Sequence, residues 1–276
     1  MAGEADRATG RVPGPWGGVA LVVENHWEWY RRNWRATAVS TVVQPLLFVL
    51  AFGVGFGALV RGSGQVAAAT GGVDYLVWIA PGLLAMSAVQ TGAFDSTYPV
   101  LSGFKWQRTY TAMTAGPITP GQVALGHLGW LAVKTAGAGL VCAAVIALLG
   151  GVAGPGILLA VLVSVLTGAA VAAPITAYSA TLETEGASFP AIFRFVVIPM
   201  TLFSGTFFPV DRLPELVRPL VGVSPLWHGT ELARAAALGG PWPPWPAVLG
   251  HVAYLLALLG VGTVLAVRTF TRRLAR

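Results

Sequence analysis

Residues Thr135–Leu182 read TAGAGLVCAAVIALLGGVAGPGILLAVLVSVLTGAAVAAPITAYSATL, 48 positions without one charged side chain. An apolar stretch of about 10–14 residues suits a buried core helix, whereas a bilayer span needs roughly 20. The glycines and Pro155 of Gly150–Gly156 (GGVAGPG) interrupt the run near its middle and leave two segments of about membrane length. The stretch therefore predicts two membrane helices joined by a tight turn, in a polytopic membrane protein.

The rest of the chain agrees. Hydrophobic residues make up 55% and charged ones 10%, against about 25% charged residues in a globular domain; the mean hydropathy is +0.70. The 35 glycines suit close helix packing in lipid, where small residues let backbones approach. A net charge of +6 fits a positive-inside bias better than nucleic-acid binding at this hydropathy. Cys142 is the only cysteine, which excludes an internal disulfide. Residues 1–18 are polar and rich in Gly and Pro, so they are expected to form a disordered tail without a cleavable leader.

Six spans can be drawn over residues 36–59, 75–94, 123–149, 156–182, 191–208 and 247–267. The expected fold is all-α, one bundle over residues 19–276 with an interfacial helix at 19–35. With six spans both termini share a side. Twelve basic residues then fall there, among them Arg31, Arg32, Arg35, Lys105, Arg108, Arg194, Arg268 and Arg272, against Arg61, Arg212, Arg218 and Arg234 opposite. That imbalance puts both termini in the cytoplasm.

Three non-spanning segments carry more information. Val23, Trp27, Tyr30 and Trp34 recur at helical spacing, while Glu28 and Arg32 are placed for an i,i+4 pair. The pattern fits a helix lying in the membrane interface or an ordinary aromatic belt. Tyr98–Pro120 mixes Phe104, Trp106 and Tyr110 with Lys105, Gln107 and Arg108. It suits either docking of a cytosolic partner or contact with lipid headgroups. Pro209–Pro246 is too polar for a span and too apolar for a free loop, which predicts short re-entrant helices on the outer side.

Chemistry is sparse. Neither Lys105 nor Lys134 follows the glycine pattern of a P-loop, and Gly53–Gly57 (GVGFG) lies inside an apolar span, where helix packing explains it. His26, His127, His228 and His251 show no metal-ligand spacing. No G-x-S-x-G elbow occurs. No catalytic or metal-binding residue is therefore assigned. Asp95, Glu183 and Glu185 sit near span ends, where solvent can satisfy them. Lys134 is the single charge deep in a span, and it is either functional or snorkelling.

Two motifs then make the chain resemble the permease subunits of ABC-2-type exporters, the group with NodJ-like lipo-oligosaccharide exporters and DrrB-like drug-resistance permeases. The more specific is Leu202–Pro214 (LFSGTFFPVDRLP), followed by Val223–Trp227 (VSPLW). The other runs from Phe104 to Pro120 and on to Gln122, ending PITPGQ.

The resemblance implies a dimer of six-span permeases in the cell membrane, formed by two copies or with a related permease and driven by separate cytosolic ATPase subunits. ATP and magnesium would be bound there, and this chain would hold no cofactor. Phe104, Lys105, Trp106, Gln107 and Arg108 would then contact the ATPase, with Glu183 and Glu185 in a second, shorter contact. Ser204, Gly205, Pro209, Pro214 and Pro225 would shape the outer re-entrant turn. Relatives often carry acidic residues in the coupling stretch, whereas here it is basic and aromatic. The expected cargo is amphiphilic, lipid-linked or drug-like. The alternative is an integral-membrane enzyme acting on a lipid headgroup through Lys134, His127 or His228. A third reading, an ion-coupled carrier, predicts an inverted repeat, and none is visible.

Overall fold

The computed structural model describes residues 14–35, 43, 46–60, 70–184, 187–240 and 242–275. Pro45, Arg61 and Glu185 therefore lie outside the described residues.

The chain enters through α1 (Pro15–Arg32), which starts where Gly14 is extended and Pro15 occupies the first helical turn. Proline suits that position because its missing N–H would have no intrahelical partner. Arg31 and Arg32 close the helix, favourably placed against its dipole. The helix thus begins ahead of the residue 19 expected from composition. Glu28 pairs with Arg31 at 3.0 Å rather than with Arg32.

The face α1 buries is Gly18 and Val22, one step round from the expected Val23–Trp27 face. It lies along α6 (Pro120–Leu148). A Cβ on Gly126 would meet Val22 at 2.5 Å, and one on Gly18 would meet Gln122 at 2.5 Å. Gln122 fastens the seam further. Its side chain completes a capping box with Thr119 and donates to the carbonyls of Gly14 and Pro15.

Helix α2 (Leu46–Leu59) is short and apolar, and π-helical over Val49–Phe56. Gly53 and Gly57 face α3, with Gly53 against Leu76 and Gly57 against Tyr75. Helix α3 (Tyr75–Asp95) is capped by Asp74, which accepts from the Leu76 N–H at 2.9 Å. It is the most enclosed helix, with Pro81 inside it. A bend at Ser96 and Thr97 leads into α4 (Tyr98–Lys105) and then α5 (Thr109–Thr114).

After α6 the chain turns at Gly150, whose φ of +77° explains the glycine. It then returns as α7 (Gly156–Ser179), so the expected break at GGVAGPG holds. Helix α7 packs on α3 through small residues. A Cβ on Gly92 would approach the Gly168 carbonyl at 2.7 Å, and one on Gly168 the Ala88 carbonyl at 2.7 Å. Helix α8 (Ser188–Phe203) is π-helical over Phe193–Val197. It ends five residues before the expected Phe208. A short α9 (Arg218–Val221) and α10 (Pro225–Leu238) follow. The chain closes with α11 (Trp245–Leu274), longer than expected at its basic end.

Among the described residues, four helices are long and apolar enough to cross a membrane: α3 with its continuation, α6, α7 and α11. Helices α2 and α8 are apolar but shorter. The bundle has two unlike ends. The basic end carries α4, α5 and the C-terminus of α11. The proline-rich end carries α9, α10 and the 150s turn. Beyond α8 the chain stays exposed over much of 211–223, and then α10 packs into the bundle, burying Leu226, Leu232, Ala233 and Ala237.

Candidate functional site: a basic tip and the cavity behind it

At the basic end, α4 and α5 form a small helical pair whose base and tip differ sharply. The base is apolar. Val100, Leu101, Phe104 and Tyr110 are buried, and the Phe104 ring lies 4.9 Å from Tyr110 and 4.8 Å from Phe270. A Cβ on Gly103 would strike the Tyr110 ring at 2.5 Å, which explains that glycine. The tip holds Lys105, Trp106, Gln107 and Arg108, all exposed. Arg108 turns the chain between the two helices with φ +51°, the only described non-glycine residue at positive φ.

Of the five residues read as a docking stretch, four are on the surface, and Phe104 is instead the anchor beneath them. Glu183 is exposed just beyond the end of α7. Arg273 links the two regions: it donates to the Ala180 carbonyl at 2.9 Å and sits 4.2 Å over the Phe104 ring.

Behind the tip lies a cavity of ≈ 730 Å³, walled by α1, α3, α4, α5, α6 and α8. Two charged side chains face it. Lys134 Nζ lies 2.7 Å from Asp95 Oδ2, and each side chain is 13% exposed. This corrects two expectations. Asp95 is not a solvated carboxylate at a helix end, and Lys134 is not an isolated charge. Asp95 ends α3, so Lys134 stands level with that end although it is mid-way along α6.

Aromatic and imidazole groups form the rest of the wall. His26 of α1 stacks on Trp130 of α6 at 6.1 Å, and Tyr30 meets Trp130 edge-on at 5.6 Å. The Tyr110 hydroxyl is 3.3 Å from His127 Nδ1. Burial lowers the His26 pKa to about 4 and raises that of Tyr110, because each charged form would be poorly solvated. Nε2 of His26 is buried without a hydrogen-bond partner among the described residues. Gln90 and Thr91 of α3 and Thr201 of α8 add further polar groups to a mixed lining.

The residues read as an outer turn lie together at the opposite end. Ser204 and Ser224 share a hydrogen bond of 2.6 Å. Gly205 turns with φ +77°, and its carbonyl accepts from Arg234 at 2.8 Å. Arg234 also stacks on Trp78 at 3.9 Å. Pro209 precedes a single 3-10 turn, the Pro214 carbonyl accepts from the Val217 N–H, and Pro225 opens α10.

Sequence spacing scattered the four histidines, but the fold pairs them. The His26 and His127 rings meet at 5.6 Å, and His228 Nδ1 lies 2.7 Å from His251 Nδ1. The cavity itself was missed. Its members come from six elements, and no local pattern marks them.

An all-helical apolar bundle, with a ligand-sized chamber and a charged tip on a rigid apolar base, defines a multi-pass membrane protein of the transporter kind. The chain belongs to the ABC-2 type transporter family, whose signature matches residues 19–238. It is 31% identical over 236 residues to nodulation protein J of Rhizobium meliloti (strain 1021), covering 81% of this chain and 86% of that one. Nodulation protein J of Rhizobium leguminosarum bv. viciae is 29% identical over 272 residues, covering 94% and 100%. That of Sinorhizobium fredii (strain NBRC 101917 / NGR234) is 30% identical over 266 residues, covering 92% and 97%.

Proposed function

We propose that this chain is the six-span permease subunit of an ATP-driven exporter in a bacterial cell membrane. Both termini and the basic end face the cytoplasm, in keeping with the excess of Lys and Arg there. Helices α2 and α8 supply the two further spans, and α9 and α10 form the outer re-entrant segment. Two permeases assemble with two ATPase subunits, which bind ATP and magnesium.

The observation that carries this reading is the α4–α5 pair of an ABC-2 chain: an exposed tip on a buried aromatic base. Such a pair transmits a push without deforming. Lys105, Trp106, Gln107 and Arg108 meet the ATPase. Phe104 passes the load to Phe270 and, through Arg273, to the end of α7 near Glu183, the second contact. Glu185 belongs to that contact by its place in the sequence. The chamber lies directly behind, where an amphiphilic, lipid-linked or drug-like cargo can arrive from the inner leaflet. The Ser204–Pro214 turn and Pro225 form the outer gate.

The headgroup-enzyme alternative would use the acid and base groups that the cavity assembles. Asp95, however, the only carboxylate among the described cavity residues, is already engaged by Lys134, and His127 Nδ1 by the Tyr110 hydroxyl.

The test is co-expression with a P-loop ABC ATPase, sought among the genes neighbouring the one for this chain. The two should co-purify, and Arg108→Glu should abolish cargo-stimulated hydrolysis while leaving membrane insertion intact. Unchanged stimulation in that variant sinks the docking assignment, and transport by the isolated chain in liposomes sinks the whole reading.

A further inference from the structure

We propose that the Asp95–Lys134 pair acts as a charge filter, making the cavity selective for amphiphiles whose polar head carries no net charge. The inference rests on the cavity being the cargo chamber.

Among the described residues that line the cavity, Asp95 and Lys134 are the only carboxylate and the only lysine or arginine. They neutralise one another at 2.7 Å, with little water reaching either. A cationic head would compete with Lys134 for Asp95, and an anionic head would compete with Asp95 for Lys134. In both cases the displaced partner becomes a buried, uncompensated charge, the costly outcome for a buried pair. A head without net charge leaves the pair intact. It also meets the ring of Trp130, which lines the chamber. The volume of ≈ 730 Å³ falls in the range of small-molecule sites, roughly 300–1,000 Å³.

Selectivity therefore resides in the balance of the pair and not in either residue alone. Removing Lys134 should convert the chamber to a cation site, and removing Asp95 to an anion site. Removing both should leave the two charged heads equally disfavoured, since neither then finds a counter-charge, while keeping the neutral ligand.

The experiment uses three photoactivatable probes with the same twelve-carbon diazirine chain and different heads: N-methylglucamide, trimethylammonium and sulfate. The full chain is reconstituted in phosphatidylcholine nanodiscs, and labelling is mapped by mass spectrometry. Wild type should label α1, α3 and α6 peptides with the glucamide probe about tenfold more than with either charged probe. Lys134→Met should shift the preference to trimethylammonium, and Asp95→Asn to sulfate. The double variant should show no preference between trimethylammonium and sulfate, with the glucamide head still favoured. If one single variant fails to fold, the other still decides, because each alone must shift the preference toward its own charge.

Chamber labelling with the same head preference in wild type and in the single variants overturns the charge filter and leaves the chamber standing. Labelling that avoids these peptides with every head overturns the chamber and the filter together.

Discussion

Arg273, near the C-terminus, lies 4.2 Å over the ring of Phe104, a residue 169 positions earlier in the chain. The same guanidinium donates to the carbonyl of Ala180, so one side chain ties the ends of α4, α7 and α11. Arg273→Gln should lose the cation–π contact and weaken the carbonyl bond, at about 1–2 kcal/mol. Thermal unfolding in detergent measures the loss. Arg273→Lys should recover only part of it, because the ammonium lacks the planar fork. Equal stability of wild type and Gln variant would show the tie to be unimportant.

The turn at Arg108 separates conformation from chemistry. Its φ of +51° costs an L-residue about 1 kcal/mol, a cost that glycine avoids. Arg108→Gly should therefore keep or slightly raise the melting temperature while removing the charge at the tip. Stimulated ATPase activity of the complex should fall with it. Full activity in this variant would mean that the turn, and not the guanidinium, engages the partner.

Gly126 tests the α1 seam. A Cβ there meets Val22 at 2.5 Å, and overpacking of this kind typically costs about 1–3 kcal/mol. Gly126→Val should push α1 off α6. Cysteine labelling at position 22 reads the change: slow in a V22C chain, and fast once Gly126→Val is added.

The buried pair predicts a non-additive stability cycle. Lys134→Met and Asp95→Asn should each destabilise by about 3–5 kcal/mol, and the double variant by much less than their sum. Additive losses in thermal unfolding would mean that the two side chains do not interact.

Acid should loosen α1 through His26. Its folded pKa is about 4 against an ordinary 6.5, so the undocked helix takes up the proton more readily. The His26 contribution to docking is thus fully present above about pH 6.5 and is lost as pH falls toward 4. Protection factors for hydrogen exchange over residues 15–32, corrected for the intrinsic pH dependence of exchange, should be lower at pH 5 than at pH 7.5. His26→Gln should flatten that difference, and an unaltered pH response in this variant would remove His26 as its source.

Particular elements show which signals the sequence carries. The uncharged run and its GGVAGPG break gave α6, the turn and α7 close to where they stand, because apolarity and glycine geometry act within a few residues. The face of α1 was read one position off, since aromatic residues mark membrane contact as well as packing. Its buried stripe is small, Gly18 and Val22, and carries little periodic weight. The π-helical turns over Val49–Phe56 and Phe193–Val197 had no visible signal. Phe104 looked like one more exposed aromatic of a docking stretch until Tyr110 and Phe270 were found around it.

By itself the sequence determined that this chain lives in a bilayer, where its apolar segments and their main break fall, and which end is basic. These properties are sums over contiguous residues, so no knowledge of neighbours is needed. Only the tertiary structure decided that Asp95 meets Lys134, 39 positions away, that Tyr110 meets His127, and that α1 closes a chamber. Such pairings depend on the rotation and depth at which helices pack, and small-residue contacts such as Gly18 with Gln122 and Gly92 with Gly168 set both.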